Sequence, residues 1–170
     1  MITLILKLDD TLLFKKNNLN ESPLLKHCKH NNFKIVSFLI NNIIENDNET
    51  IFELTDNDKN TVLHYLCKSD NTLHLIKKIL LIKNDIIDYQ NKKYETTIMI
   101  SAMSSQEDII YFLKGIRADM NLTDIYGNTV YHYICQNELC VGMDIENKEN
   151  IFGYKPSDYS KISLNYYYHI

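Results

Sequence analysis

The chain has 170 residues, 45% of them apolar, and 18 Lys and Arg against 22 Asp and Glu give a formal charge of −4. That fits one domain or one short repeat array with a continuous core, and it argues against sequence-independent nucleic-acid binding, which needs a basic face to release counterions. No run approaches about 18 apolar residues, so no membrane span is expected.

Met1–Leu8 is too short to serve as a secretory apolar core, and no small-residue cleavage site follows it. Four cysteines without such a signal read as reduced thiols in a cytosolic setting. Residues 1–19 are expected to form a capping segment or the remains of an upstream repeat. Lys15–Lys16 and Lys92–Lys93 read as solvated surface.

A self-similar unit then recurs along the chain. Its origins are Ser22 (SPLL), Thr61 (TVLH), Thr96 (TTIM), Thr129 (TVYH) and Lys155 (KPSD), at spacings of 39, 35, 33 and 26. Pro23 suits a first helical position. Two apolar helical faces follow, broken at His30–Asn32, and Asn41–Thr50 reads as a polar insertion. The second unit predicts helices over Val62–Lys68 and near Leu73–Ile82. The third unit has its second helix striped by Ile109, Ile110, Phe112 and Leu113. Phe33, Phe38 and Phe112 follow helical apolar spacing and are expected in the core. The fourth unit starts well and then shortens. The fifth keeps Gly153 and Pro156, and residues 161–170 form a Tyr-rich tail.

Register links the units. Five residues before an origin stand the turn-formers Asp56, Asn91, Asp124 and Asn150. Two residues before it, Gly127 and Gly153 suit a left-handed turn position, whereas Lys59 and Tyr94 must bend differently or carry strain. Six residues after it stand Cys28, Cys67, Ala102 and Cys135, all small, as expected for close packing of the first helices.

The stretch Asn121–Cys135, NLTDIYGNTVYHYIC, resembles the opening of an ankyrin repeat. Asn121, Asp124, Gly127, Thr129, Tyr131 and His132 match the family pattern, while Val130 takes its Pro place and Ile134 and Cys135 its Ala places. Ile116–Asn121 resembles the family's helix exit. The resemblance spans about residues 20–160. It implies an all-α ankyrin-repeat solenoid of helix–turn–helix pairs joined by short hairpin-like loops, degraded at both ends. Thr61, His64, Thr96, Gly127, Thr129, His132, Gly153 and Pro156 would carry the repeat motif, with Thr61 and Thr129 capping their helices. With its Ile, Asn, Lys and Tyr bias, the chain looks most like the ankyrin proteins of poxviruses, which are host-range and immune-modulating factors. Short viral mimics of NF-κB inhibitors are a neighbouring possibility. The C-terminal F-box-like segment of many poxvirus members finds no room in this chain.

Such a module is expected to be non-enzymatic. No nucleophile elbow and no Gly-rich phosphate loop is present. His64-x-x-Cys67 and His132-x-x-Cys135 have zinc-like spacing, but in a stacked array they stand about 20 Å apart, at roughly 10 Å per helix layer. No metal or cofactor is expected. Tyr126 and Phe152 fall just before the hairpin glycines, where an exposed aromatic suits a binding anchor, with packing on the adjacent turn as the alternative. Tyr65, Met103 and Tyr133 would line the concave face. The expected partner is a host protein of a signalling or ubiquitin pathway, met in the host cytoplasm or nucleus, and neither nucleic acid nor membrane. The alternatives are an adaptor within a ubiquitin-ligase-type assembly and a truncated remnant of a longer protein.

Overall fold

The computed structural model describes residues 10–139 and 144–159. Among them there are helices and turns and no strand. The chain divides into two compact units, Met1–Ile86 and Ile87–Ile170. Residues 1–9 of the expected capping segment, Cys140 and the Tyr-rich tail lie outside the described residues.

The first unit opens on a 3-10 turn, Asp10–Phe14, which contacts the helix α1, Pro23–Lys29. Ser22 caps α1 by accepting from the Leu25 N–H at 3.3 Å, and Pro23 takes the first turn, where its missing N–H costs nothing. Helix α2, Phe33–Glu45, buries Val36, Leu39, Ile40 and Ile43, which share one face at helical spacing. A 3-10 turn, Glu49–Glu53, follows, then α3, Val62–Leu66, and α4, Leu73–Ile82. Helix α1 packs on α2 and α3, α2 on α4, and α3 on α4. The 49–53 turn packs on both α2 and α3.

Two expectations fail in this unit. The span 41–50 is not one polar insertion, because α2 continues to Glu45 and buries Ile43, and the following turn buries Ile51 and Phe52. Phe33 and Phe38 are only half-buried. Phe38 follows Val36 by two residues, about 200° around the helix, so it points away from the stripe its spacing suggested.

The second unit contains α5, Thr97–Met103, α6, Glu107–Gly115, and α7, Val130–Gln136. Helix α5 packs on both α6 and α7. Ile109, Ile110 and Leu113 are the buried face of α6, and Phe112 is half-buried at its flank. Residues 156–159 form one further helical turn. Within each unit the small register residues are buried: Cys28 and Cys67 in the first, Ala102 and Cys135 in the second.

Left-handed backbone recurs at fixed places. Two residues before the origins, Asn20, Lys59 and Tyr94 adopt φ of 62°, 60° and 59°, beside Gly127 and Gly153 at 74° and 76°. Asn31, Asn71 and Ser105 adopt it between the helices of a pair, and Glu138 adopts it just after α7. Lys59 and Tyr94 therefore keep the glycine geometry and bear its strain, since a side chain other than Gly or Asn costs about 1–2 kcal/mol there. Lys59 is exposed, so Lys59→Gly loses little contact. The relieved strain, less the greater freedom of glycine in the unfolded chain, leaves a gain of about 0.5–1 kcal/mol. A higher melting temperature is expected; a lower one would contradict the strain.

Candidate interaction surface

Each helix pair is entered through a hairpin closed by an Asn or Asp. In the first unit Asp56 Oδ1 accepts from the N–H groups of Asp58 and Asn60 at 2.9 and 2.8 Å. In the second, Asn91 does the same for Lys93 and Glu95, Asp124 for Tyr126 and Asn128, and Asn150 for Phe152 and Tyr154, all at 2.8–3.0 Å. Asn17 builds a further copy, with its Oδ1 accepting from Leu19 and Glu21 at 2.9 and 3.0 Å. Asn17 lies five residues before Ser22, so the register contained it although the sequence reading passed over it.

In four of these five hairpins the last residue of the turn is matched to the Asn or Asp that opens it; the exception is the Asn150 hairpin, which ends on Tyr154. Asn17 Nδ2 donates to Glu21, Asn60 to Asp56, Asn91 to Glu95 and Asn128 to Asp124. Every such pair is one amide and one carboxylate. Two carboxylates at these distances would repel, and two amides would forgo the charge-assisted bond.

Tyr65 and Tyr133, expected on a concave face, are half-buried, and their hydroxyls donate to Asp56 and Asp124 of their own hairpins. Burial and the neighbouring carboxylate push both phenols well up, so each stays a neutral donor. Burial pushes the Asp56 carboxyl up, but the bonds from Tyr65 and Asn60 outweigh it and hold it below the usual range. Tyr65 still lines a groove of about 630 Å³ in the first unit, with Phe33, Lys29 and Lys68. Met103 is half-buried at the end of α5.

The helix starts share one device with interchangeable parts. His64 Nδ1 accepts from the Thr61 N–H at 3.2 Å, and His132 Nδ1 from the Thr129 N–H at 3.0 Å. Both histidines are buried. Met99 takes that place beneath Thr96, offering its Sδ at 3.5 Å. At the fifth origin Asp158 takes it, accepting from the Lys155 N–H at 2.8 Å, with Pro156 buried at the start of the turn. The fifth motif, which has Asp158 where His64 and His132 stand in the others, thus keeps the capping contact. The Cys28 thiol is pushed far up by burial, the opposite of an activated nucleophile. Among the described residues no three His, Cys, Asp or Glu side chains converge as a metal site.

Within the second unit the hairpins are joined tip to tip. Ile125 N–H donates to Lys93 O at 3.0 Å, and Ile151 N–H to Tyr126 O at 3.0 Å. Beneath the tips, Asn150 Nδ2 donates to Asn128 Oδ1 at 2.8 Å and to Tyr159 Oη at 3.0 Å. Gly127 sits at the closest approach, because a Cβ there would lie 3.1 Å from Ile151 N and 3.2 Å from its Cγ2. A Cβ on Gly153 would meet nothing within 4 Å. Both glycines have positive φ. Gly127→Ala is therefore expected to cost about 1–2 kcal/mol of backbone strain plus the displacement of Ile151, and Gly153→Ala the strain alone. Equal losses in a denaturant titration would refute the tip-to-tip contact.

Above this frame stands a ridge of exposed apolar side chains. Ile125 and Tyr126 are 43% and 49% exposed, Ile151 and Phe152 66% and 62%. Tyr94 and Tyr154 extend it. The Tyr126 and Phe152 rings lie 6.2 Å apart, centre to centre, tilted by 30°. Each ring thus neighbours the adjacent turn and still presents about half its surface to solvent. Sequence reasoning missed Ile125 and Ile151, although the pair Ile-Tyr-Gly and Ile-Phe-Gly repeats the same tripeptide pattern.

No family model matches the chain. A stretch of 51 residues is 37% identical to the nuclear factor NF-kappa-B p105 subunit of Rattus norvegicus, covering 30% of this chain and 5% of that protein. The chain therefore spans a small fraction of that relative's length. The likeness is compatible with ankyrin-like repeats and with a protein-interaction module. No helix of the described residues is long and apolar enough to cross a membrane.

Proposed function

We propose that this chain is a non-enzymatic, ankyrin-type protein-interaction module that holds its partner through the hairpin tips of the second unit. The observation that carries this reading is the ridge of Ile125, Tyr126, Ile151 and Phe152. Four large apolar side chains stand exposed together on turns fixed by buried Asn and Asp hydrogen bonds. Exposed apolar side chains clustered on rigid turns are the usual signature of a contact surface, because their burial against a partner needs little further ordering. Tyr65 and Met103 are secondary contacts, and Tyr133 chiefly anchors its hairpin. By the resemblance of its motifs, the module is a viral modulator of host innate signalling or host range. Its partner is then a host signalling or ubiquitin-pathway protein, met in the host cytoplasm or nucleus.

The test is a quantitative pull-down from mammalian cytosol with the parent and with Tyr126→Ala/Phe152→Ala, after circular dichroism shows equal helicity. Aromatic anchors of this kind contribute about 2 kcal/mol or more each, so the double variant is expected to bind its partner roughly a thousandfold more weakly. Equal retention by both proteins would refute the ridge as the contact surface.

A further inference from the structure

The two tip-to-tip bonds of the second unit follow one rule. The residue four before an origin, Ile125 or Ile151, donates its N–H to the carbonyl three before the preceding origin, Lys93 or Tyr126, each at 3.0 Å. By that rule the fifth hairpin offers the Phe152 carbonyl to a further turn. Among the described residues no backbone N–H reaches it. The place above Gly153 is open in the same sense. Gly127, at φ 74°, is covered by Ile151, whose N and Cγ2 would lie 3.1 and 3.2 Å from an added Cβ, and by Asn150 Cα at 3.4 Å. Gly153, at φ 76°, has the same backbone, and a Cβ on it would meet nothing within 4 Å. Ile151 and Phe152 are accordingly more exposed than Ile125 and Tyr126, which have the fifth hairpin beside them.

We infer that this open end takes a tight turn of a partner protein, one with a β-branched aliphatic residue just after the Asn or Asp that opens it. This rests on the interaction-module reading and specifies its partner. The incoming residue donates its N–H to the Phe152 carbonyl. Its side chain lies over Gly153 as Ile151 lies over Gly127, and the turn that carries it covers Ile151 and Phe152. Main-chain pairing at an open edge sets the register. Burial of the aliphatic and aromatic side chains supplies most of the free energy, because exchanging water for an N–H on an exposed carbonyl gains little. A helix face does not fit, since its N–H groups are spent within the helix. A second copy of this chain fits poorly. Its Ile125 and Ile151 N–H groups are already bonded, and its other tips carry Asn18, Asn57 and Lys92 at the donating place.

The test titrates the full chain, isotopically labelled for NMR, with a lactam-closed peptide that carries the Asn-Ile-Phe-Gly-Tyr turn of residues 150–154. The amide signals of Phe152, Gly153 and Tyr154 should shift. A peptide N-methylated at its Ile has no N–H to donate and should bind about fivefold more weakly, and one with Ser for Ile about tenfold more weakly. Gly153→Ala sets a Cβ where the incoming N–H must come, so it should weaken the unmodified peptide about tenfold or more. That variant carries backbone strain, so its signals away from the fifth hairpin are first matched to the parent's. The N-methylated peptide leaves the protein untouched and decides the matter alone if they differ. Absence of binding, shifts centred on other residues, equal binding of the N-methylated peptide, equal binding to a folded Gly153→Ala, or self-association of the chain through the same three signals would each overturn the inference. If the pull-down partner still depends on Tyr126 and Phe152 in any of those cases, the module stands and only the form of its partner falls. If that dependence is absent too, both fall.

Discussion

Replacing Phe52 with alanine is expected to cost about 3–5 kcal/mol and to lower the melting temperature by roughly 10 °C. Phe52 is fully buried, as is its neighbour Ile51. The 3-10 turn that carries them packs against both α2 and α3. Removing the ring leaves a cavity between two elements, and each is held by its other contacts, so collapse is limited. Phe38→Ala provides the contrast. Phe38 sits at helical apolar spacing, but it is half-buried, so its loss should cost less than half as much. Equal costs in parallel denaturant titrations would contradict the core described for the first unit.

His132→Ala is expected to cost about 3 kcal/mol, because truncation leaves the buried Thr129 N–H unmet, at roughly 1–3 kcal/mol, and also releases the part-buried Tyr154 carbonyl. His132 Nδ1 accepts from the Thr129 N–H, and its Nε2 then donates to Tyr154 O at 3.1 Å. The ring also meets Tyr159 edge-on at 5.4 Å. One side chain thus ties the start of α7 to the next hairpin. Only the neutral imidazole can accept at Nδ1. Burial lowers the His132 pKa, outweighing the bond to the Tyr154 carbonyl that raises it. The unfolded chain, with an ordinary His pKa near 6.5, therefore binds the proton more readily than the folded one. This contribution is fully present above about pH 6.5 and is lost as the pH falls toward the lowered folded value, with a slope of at most about 1.4 kcal/mol per pH unit. The parent should lose stability between pH 6.5 and 5 faster than His132→Ala does. Parallel pH profiles would exclude His132 as the titrating group.

The same buried hairpins explain why motif residues and surface residues are so closely interleaved. Asp124 is buried and fixes the turn, and the two residues that follow it, Ile125 and Tyr126, are exposed. A change on the ridge can therefore alter binding without unfolding the turn beneath it, whereas a change at Asp124 would release both.

The sequence by itself determined the helices and their starts. Ser22, Thr61, Thr96 and Thr129 each precede a helix because a short hydroxyl side chain suits the backbone there, and that preference is local. The buried small residues at Cys28, Cys67, Ala102 and Cys135 were equally legible, since a shared register is written along the chain. The tertiary structure alone decided what depends on residues distant in sequence. It set Phe52 in the core and turned Phe38 outward, because burial depends on which neighbour covers a face and not on the spacing of that face. It also let Asp158 and Met99 fill a histidine's place, since the Lys155 and Thr96 N–H groups need only an acceptor within reach. And it gathered Ile125, Tyr126, Ile151 and Phe152 into one ridge, because hydrogen bonds between successive hairpins bring side by side turns that lie 26 residues apart in the chain.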